Sequence, residues 1–205
     1  MQAPSTQPAN AAGMCGELAD RYPQVRYQTE HLCSPLSAED CAAQSMPEAS
    51  PVKWHLAHTS WFFETFVLEA FQPGFQPFSE AYRTLFNSYY NGVGEQLPRA
   101  QRGLLTRPGL EAVYAYRAHV DARVSALIEA GAAAEVAALI SLGLHHEQQH
   151  QELILMDLKH LLSTNPLEPV YTPPAGGSPS PGAAGHWVGF PEGVRWIGHS
   201  GPGFA

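Results

Sequence analysis

The pentapeptide His146-Glu147-Gln148-Gln149-His150 carries two imidazoles four residues apart. On a helix this spacing puts them one turn apart on the same face, so both can reach one metal ion. Leu139, Leu142 and Leu153 share much of that face, which predicts that the pair points into a helical core. The competing reading is a pair of hydrogen-bonded histidines at the edge of a bundle. A third ligand is on offer in His55-Leu56-Ala57-His58, where Trp54, Trp61 and Phe62 lie about one turn from His58. Such apolar neighbours would position an imidazole and keep water from it. His55, one turn earlier, is the alternative third ligand. Three neutral imidazoles with open positions suit Fe(II) and Zn(II) alike.

The same five residues also spell H-E-x-x-H, the zinc-peptidase pattern in which Glu147 would be the general base. Two features count against it. Neither glycine nor a third histidine follows within residues 151–156, and the downstream carboxylate, Glu168, falls in Asn165-Pro166-Leu167-Glu168-Pro169, a poor setting for a helical ligand. Gln149 lies beside the histidine pair and could orient a substrate or a bound water, exposed helix surface being the other reading. Glu152 and Asp157 are candidates to hold a ligand imidazole in its tautomer from behind. His119 and His160 read as edge or surface histidines.

Helices must position these groups. The pattern predicts a first helix over residues 16–33, with Leu18, Tyr22, Val25 and Leu32 on one broad face and Pro23 kinking it or shifting its start. Ser37 and Asp40 can cap a short turn. Ser50 as N-cap and Pro51 at the first helical position open a second long helix, which stops before Pro73-Gly74. Residues 73–105 are aromatic and loop-rich, and so long a loop is usually functional. A third helix begins near Thr106 or Pro108 and ends at Gly131. A fourth covers about residues 132–163, stopped by Asn165-Pro166. The expected class is mainly α, an antiparallel four-helix bundle over residues 15–171. Residues 1–14 read as disordered, and the Pro/Gly-rich stretch 172–185 reads as a linker. Over residues 186–205 the pattern changes again, and Trp187-Val188-Gly189-Phe190 and Val194-Arg195-Trp196-Ile197-Gly198 read as strands, too few to make a sheet by themselves. They look like the beginning of a second domain.

The chain's 205 residues, 44% hydrophobic and 15% charged, suffice for one good core. A formal net charge of −8, from 11 basic against 19 acidic residues, comes without any basic stripe. This argues against a nucleic-acid partner and against an anionic lipid surface. A small zwitterionic or cationic substrate fits the charge better. Cys15, Cys33 and Cys41 form an odd set with no CxxC pair, which reads as free thiols in a reducing compartment. With no basic-then-apolar leader and no run of about 18 apolar residues, the expected location is cytoplasmic and the expected membrane partner none.

Several segments together resemble the ergothioneine-biosynthesis sulfoxide synthases, or hercynine oxygenases. These are the stretch from Ser50-Pro51-Val52-Lys53-Trp54-His55-Leu56-Ala57-His58 through Phe66, and His145-His146-Glu147-Gln148-Gln149-His150-Gln151-Glu152-Leu153. Leu85-Phe86-Asn87-Ser88-Tyr89-Tyr90-Asn91-Gly92-Val93-Gly94 and Gln44-Ser45-Met46-Pro47-Glu48 look like the same family. The resemblance covers roughly residues 18–205, and the combined motifs are highly specific. It implies a DinB-like four-helix bundle joined to a domain similar to the formylglycine-generating enzymes. It also implies Fe(II)- and O2-dependent joining of a thiol, γ-glutamylcysteine or cysteine, to C2 of the hercynine imidazole. By position in the motifs, His58, His146 and His150 match the family's iron ligands, and Gln149 matches the glutamine near the substrate imidazole.

In the family the second domain completes the site, with an acid-donating tyrosine and most contacts to the substrate carboxylates. Residues 187–205 resemble only the first strand region of that domain, so no catalytic acid or base is assigned within this chain. The expectation is that the chain is a truncated form, which binds iron without efficient turnover and self-associates through the face the missing domain would cover. Two other readings stay open. One is a relative with an altered product, of the ovothiol or selenoneine type. The other is a non-catalytic metal-binding or interaction module; within the wider DinB-like fold a thiol-transferase function also exists.

Overall fold

Pro8 opens the first helix of the chain, whose computed structural model describes residues 8–173 and 185–199, with side chains from Gly16 onward. α1 (Pro8–Cys33) therefore starts ahead of residue 16 and inside the stretch expected to be disordered, of which residues 1–7 lie outside the described residues. Proline at a helix start sacrifices no hydrogen bond, and Ala9, Ala11 and Ala12 are strong helix formers. The helix runs through Pro23 rather than starting at it. α2 (Ala38–Ala42) carries the expected capping box: the Ser37 hydroxyl accepts from the Asp40 N–H, and the Asp40 carboxylate accepts from the Ser37 N–H at 2.9 Å.

α3 (Val52–Phe63) is buried along its whole length. It packs on α6 (Leu110–Glu129) and α7 (Ala134–Ser163), while α1 packs on the same two helices. The expected cap is absent. Pro51 is the N-cap, and Ser50 is drawn into tertiary contacts: its N–H donates to Asp157 Oδ2 at 2.9 Å, and its hydroxyl accepts from Arg102 at 2.9 Å. At its C-terminal end α3 passes into a π-helical turn, Glu64–Leu68, and then into α4 (Glu69–Phe71). Buried Glu64 anchors that turn, accepting from the Phe78 N–H at 2.8 Å and from the Tyr116 hydroxyl at 2.6 Å.

Residues 73–105, expected as loop, contain α5 (Tyr82–Leu85) and a 3-10 segment, Arg99–Leu104. α6 ends at Glu129, with Gly131 at φ +83 turning the chain toward α7. That φ lies in the left-handed region that favours glycine.

The buried line of α7 differs from the expected one. Leu142 is 44% and Leu153 37% exposed, and the line instead runs through Val136, Ile140, Gly143, Leu144, Glu147, His150 and Ile154. Gly143 belongs to it because α3 comes so close: a Cβ there would sit 2.5 Å from Phe63 Cε1.

The chain divides into two units, Met1–Tyr171 and Thr172–Ala205. Most of the stretch expected as linker, residues 174–184, lies outside the described residues. In the second unit, residues 185–199 form neither helix nor strand, and Trp187, Phe190, Val194, Trp196 and Ile197 are exposed. The expected strands are thus not formed among the described residues. The described fold is mainly helical, without strands. No helix among the described residues is long and apolar enough to cross a membrane.

Candidate metal centre

Two turns of α3 and two of α7 face each other where the histidines lie. His58 and His150 are buried, His146 is partly buried, and one nitrogen from each falls within 4.8 Å of the others. His58 Nε2 and His146 Nε2 are 3.2 Å apart. Imidazole nitrogens sharing one metal at about 2.0–2.1 Å stand roughly 3–3.5 Å from each other, so this spacing already suits a common ion.

The His58 ring is fixed on several sides. Its Nδ1–H donates to the Phe86 carbonyl at 2.6 Å, leaving Nε2 as the free lone pair. Trp54 and Trp61 both stack with the ring, at centroid distances of 4.5 and 5.4 Å. Trp54 Nε1–H donates in turn to the Leu85 carbonyl at 3.0 Å. Two side chains of α3 therefore dock on consecutive carbonyls at the end of α5. Asn87 holds the loop beyond, donating to the carbonyls of Tyr90, Gly94 and Glu95. On α7, His146 packs against Phe62 at 4.8 Å, and its Nδ1 is buried without a partner among the described residues.

His55, the alternative third ligand, stands behind His150. The two Nδ1 atoms are 2.8 Å apart, and His55 Nε2 is 3.2 Å from Asp157 Oδ2. Burial pushes His58 and His150 well below the usual histidine value, helped by the neighbouring imidazoles, and takes His146 down to about 4. The donor set at neutral pH is thus three uncharged imidazoles facing one point. It fits a divalent metal, with His58 and His150 each held through the other ring nitrogen.

Glu147 cannot serve this centre as a base. Its side chain is fully buried on the far side of the motif, where Arg26 meets it at 2.8 Å, Arg117 at 3.0 Å and the Thr29 hydroxyl at 2.7 Å. Burial alone would raise its pKa, but the two guanidiniums hold it at about 2. Glu152 is exposed and takes no part, whereas Asp157 does, through His55.

A cavity of about 430 Å3 opens over the histidines. Gln149, itself exposed, lines it, as do Tyr89, Tyr90, Arg99 and Arg102 from the 73–105 segment. Arg102 was missed in the sequence. It is 3% exposed, lies 3.4 Å over the Trp54 ring and donates to Ser50, yet has no carboxylate partner among the described residues, and its Nε is unpaired. Burial, and then Arg99 nearby, lowers its pKa to about 10, so it remains a cation at neutral pH. The signal was the Arg99/Arg102 spacing, which puts both on one side of a single turn. Nothing local tied that turn to α3.

None of the curated proteins compared with the chain matches it. A family model described as the DinB superfamily matches residues 21–154, well over half of the chain. The matched span begins in α1, contains all three clustered histidines and ends just past His150. The chain is a member of the DinB superfamily.

Proposed function

We propose that the chain is the iron-binding part of an Fe(II)- and O2-dependent sulfoxide synthase, joining γ-glutamylcysteine or cysteine to C2 of hercynine. In this reading its long helices form the antiparallel DinB-like bundle, and residues 186–205 begin a domain similar to the formylglycine-generating enzymes. The observation that carries it is the cluster of three neutral histidines at a cavity, on the motifs that resemble that family. His58, His146 and His150 would hold the metal. Fe(II), when bound, supplies the redox chemistry with O2 that a thiol and an imidazole lack between themselves.

The rest falls to the chain's own side chains. Trp54, Trp61 and Phe62 keep the ligand rings in place and shield them from water. Gln149, on the cavity wall one residue from His150, orients the substrate imidazole. Arg102 is a buried cation with an unsatisfied N–H, suited to a carboxylate of the thiol substrate. Holding thiol and imidazole in one cavity replaces a rare encounter with a fixed approach.

The test is anaerobic loading with Fe(II), measuring metal stoichiometry of the chain and of its His58→Ala, His146→Ala and His150→Ala variants. One iron per chain, lost in each variant, is the expected result. Binding that ignores His58 would remove the reading. Iron binding with sulfoxide formed from free histidine but not from hercynine would point to the ovothiol-type relative.

A further inference from the structure

We infer that His55 and Asp157 are positioning residues that set the tautomer of His150 and so present its Nε2 to the metal, an inference resting on the three-histidine site. An ionised carboxylate only accepts hydrogen bonds. Asp157 Oδ2 lies 3.2 Å from His55 Nε2, so that nitrogen carries the proton. In a neutral His55 the other nitrogen, Nδ1, is then the lone pair. It faces His150 Nδ1 at 2.8 Å, and for these two atoms to bond, His150 must donate. A neutral His150 protonated at Nδ1 has its lone pair at Nε2. The carboxylate thus selects the tautomer of an imidazole it does not touch.

The line is anchored at its carboxylate end. The Ser50 N–H also donates to Asp157 Oδ2, at 2.9 Å, which fixes the carboxylate at the start of α3. All three side chains are buried, at 2% exposure for His55, 8% for His150 and 6% for Asp157. Asp157 lies two turns beyond His150 on the same face of α7, and His55 fills the step between them from α3. Carboxylates and carbonyls commonly fix metal-bound histidines in one step. Phe86 does so for His58, whereas His150 has a second imidazole interposed.

The first measurement is the nitrogen NMR of the histidine rings in the metal-free chain. His150 is expected as the Nδ1–H tautomer and His55 as Nε2–H. His150 protonated at Nε2, or His55 protonated at both nitrogens, overturns the inference without touching the three-histidine reading. The second is Fe(II) and Co(II) affinity of H55F, H55Q and D157N beside the wild type and H150A. Loss of support behind a ligand costs about 10–100-fold in metal affinity. H55F is expected to show that loss, with one metal still bound per chain and the ligand-field spectrum of Co(II) retaining its three-nitrogen character. H55Q, whose amide oxygen can accept from His150, is expected to recover most of the affinity. Wild-type affinity in both H55F and D157N overturns the inference, as does a wild-type Co(II) spectrum showing a fourth nitrogen ligand that disappears in H55F, which would make His55 a ligand itself. Failure of the wild type to bind either metal would instead fell the three-histidine site, while the tautomer measurement still decides the role of the pair.

Discussion

Glu147 shows how one residue can sit inside a catalytic-looking motif and belong to the scaffold. Its carboxylate ties α7 to α1 through Arg26 and Thr29, and to α6 through Arg117. The network goes further, because Arg26 also meets Asp121 at 2.6 Å and Arg117 donates to the Leu56 carbonyl of α3 at 2.9 Å. Replacing Glu147 leaves two buried guanidiniums with only Asp121 and Glu30 as carboxylate partners, and removing one partner of a buried ion pair costs about 3–5 kcal/mol. Glu147→Ala should therefore lower the free energy of unfolding by about that amount in denaturant titrations. The fraction that remains folded should still bind one metal. A variant of full stability that had lost a metal-dependent activity would mean that Glu147 acts in the chemistry after all. The HEQQH pattern shows that a glutamate flanks the histidine pair. It does not show on which side of the helix two arginines wait, since Arg26 and Arg117 come from distant parts of the chain.

At the scale of elements, the contact of α3 with α7 decides the site. Phe62 and Phe63 of α3 pack where α7 has no side chain at Gly143, and His146 follows three residues later on nearly the same face. A methyl group at 143 would stand 2.5 Å from Phe63 Cε1 and 2.9 Å from Phe62 Cε1, both on buried rings. Gly143→Ala should cost about 1–3 kcal/mol of stability through overpacking, despite the better helix propensity of alanine. It should also weaken metal binding, because α7 must move away from His58. Leu142→Ala, on the exposed side, should do neither; calorimetry of metal binding together with thermal melts separates the two. Much at this scale was legible. The stop of α6 just ahead of Gly131, the capping box of α2 and the stop of α7 before Asn165-Pro166 rest on local signals, and all are present. What failed was set by tertiary partners. Leu142 and Leu153 looked as apolar as the residues that are buried, but the helix is rotated to bring Gly143 and Glu147 inward. The π turn at Glu64–Leu68 depends on Tyr116 and the Phe78 backbone, and Ser50 left its cap for Asp157 and Arg102. The three clustered histidines could be picked from two short motifs, but the work of His55 depends on Asp157, a hundred residues away.

For the unit Met1–Tyr171 as a whole, four uncharged histidines around one cavity, three buried and His146 partly so, make stability depend on pH. His55, His58 and His150 all lie below the usual value through burial, and His146 is near 4 where 6.5 would be ordinary. A group with a depressed folded-state pKa takes up protons in the unfolded chain first. Below pH 6.5 the unfolded state binds protons that the folded state refuses, so stability falls as pH falls. For His146 that window runs from 6.5 down to about 4. Glu147 contributes a second window: its stabilisation is present above the ordinary 4.5 and is lost as pH drops toward about 2. Melting of the metal-free chain should therefore be flat from pH 8 to 7, decline from 6.5 and steepen below 4.5. Bound metal should raise the melting temperature at neutral pH, by about 2.7 kcal/mol in stability when free metal is a hundredfold above its Kd. That increment should vanish on acidification, since protons compete for the same lone pairs. A variant with His58, His146 and His150 all replaced by glutamine should lose most of the decline between 6.5 and 4 while keeping the steep fall below it. If the variant and the wild type melted alike across the whole range, the histidines would not be the buried neutral groups that a metal site requires.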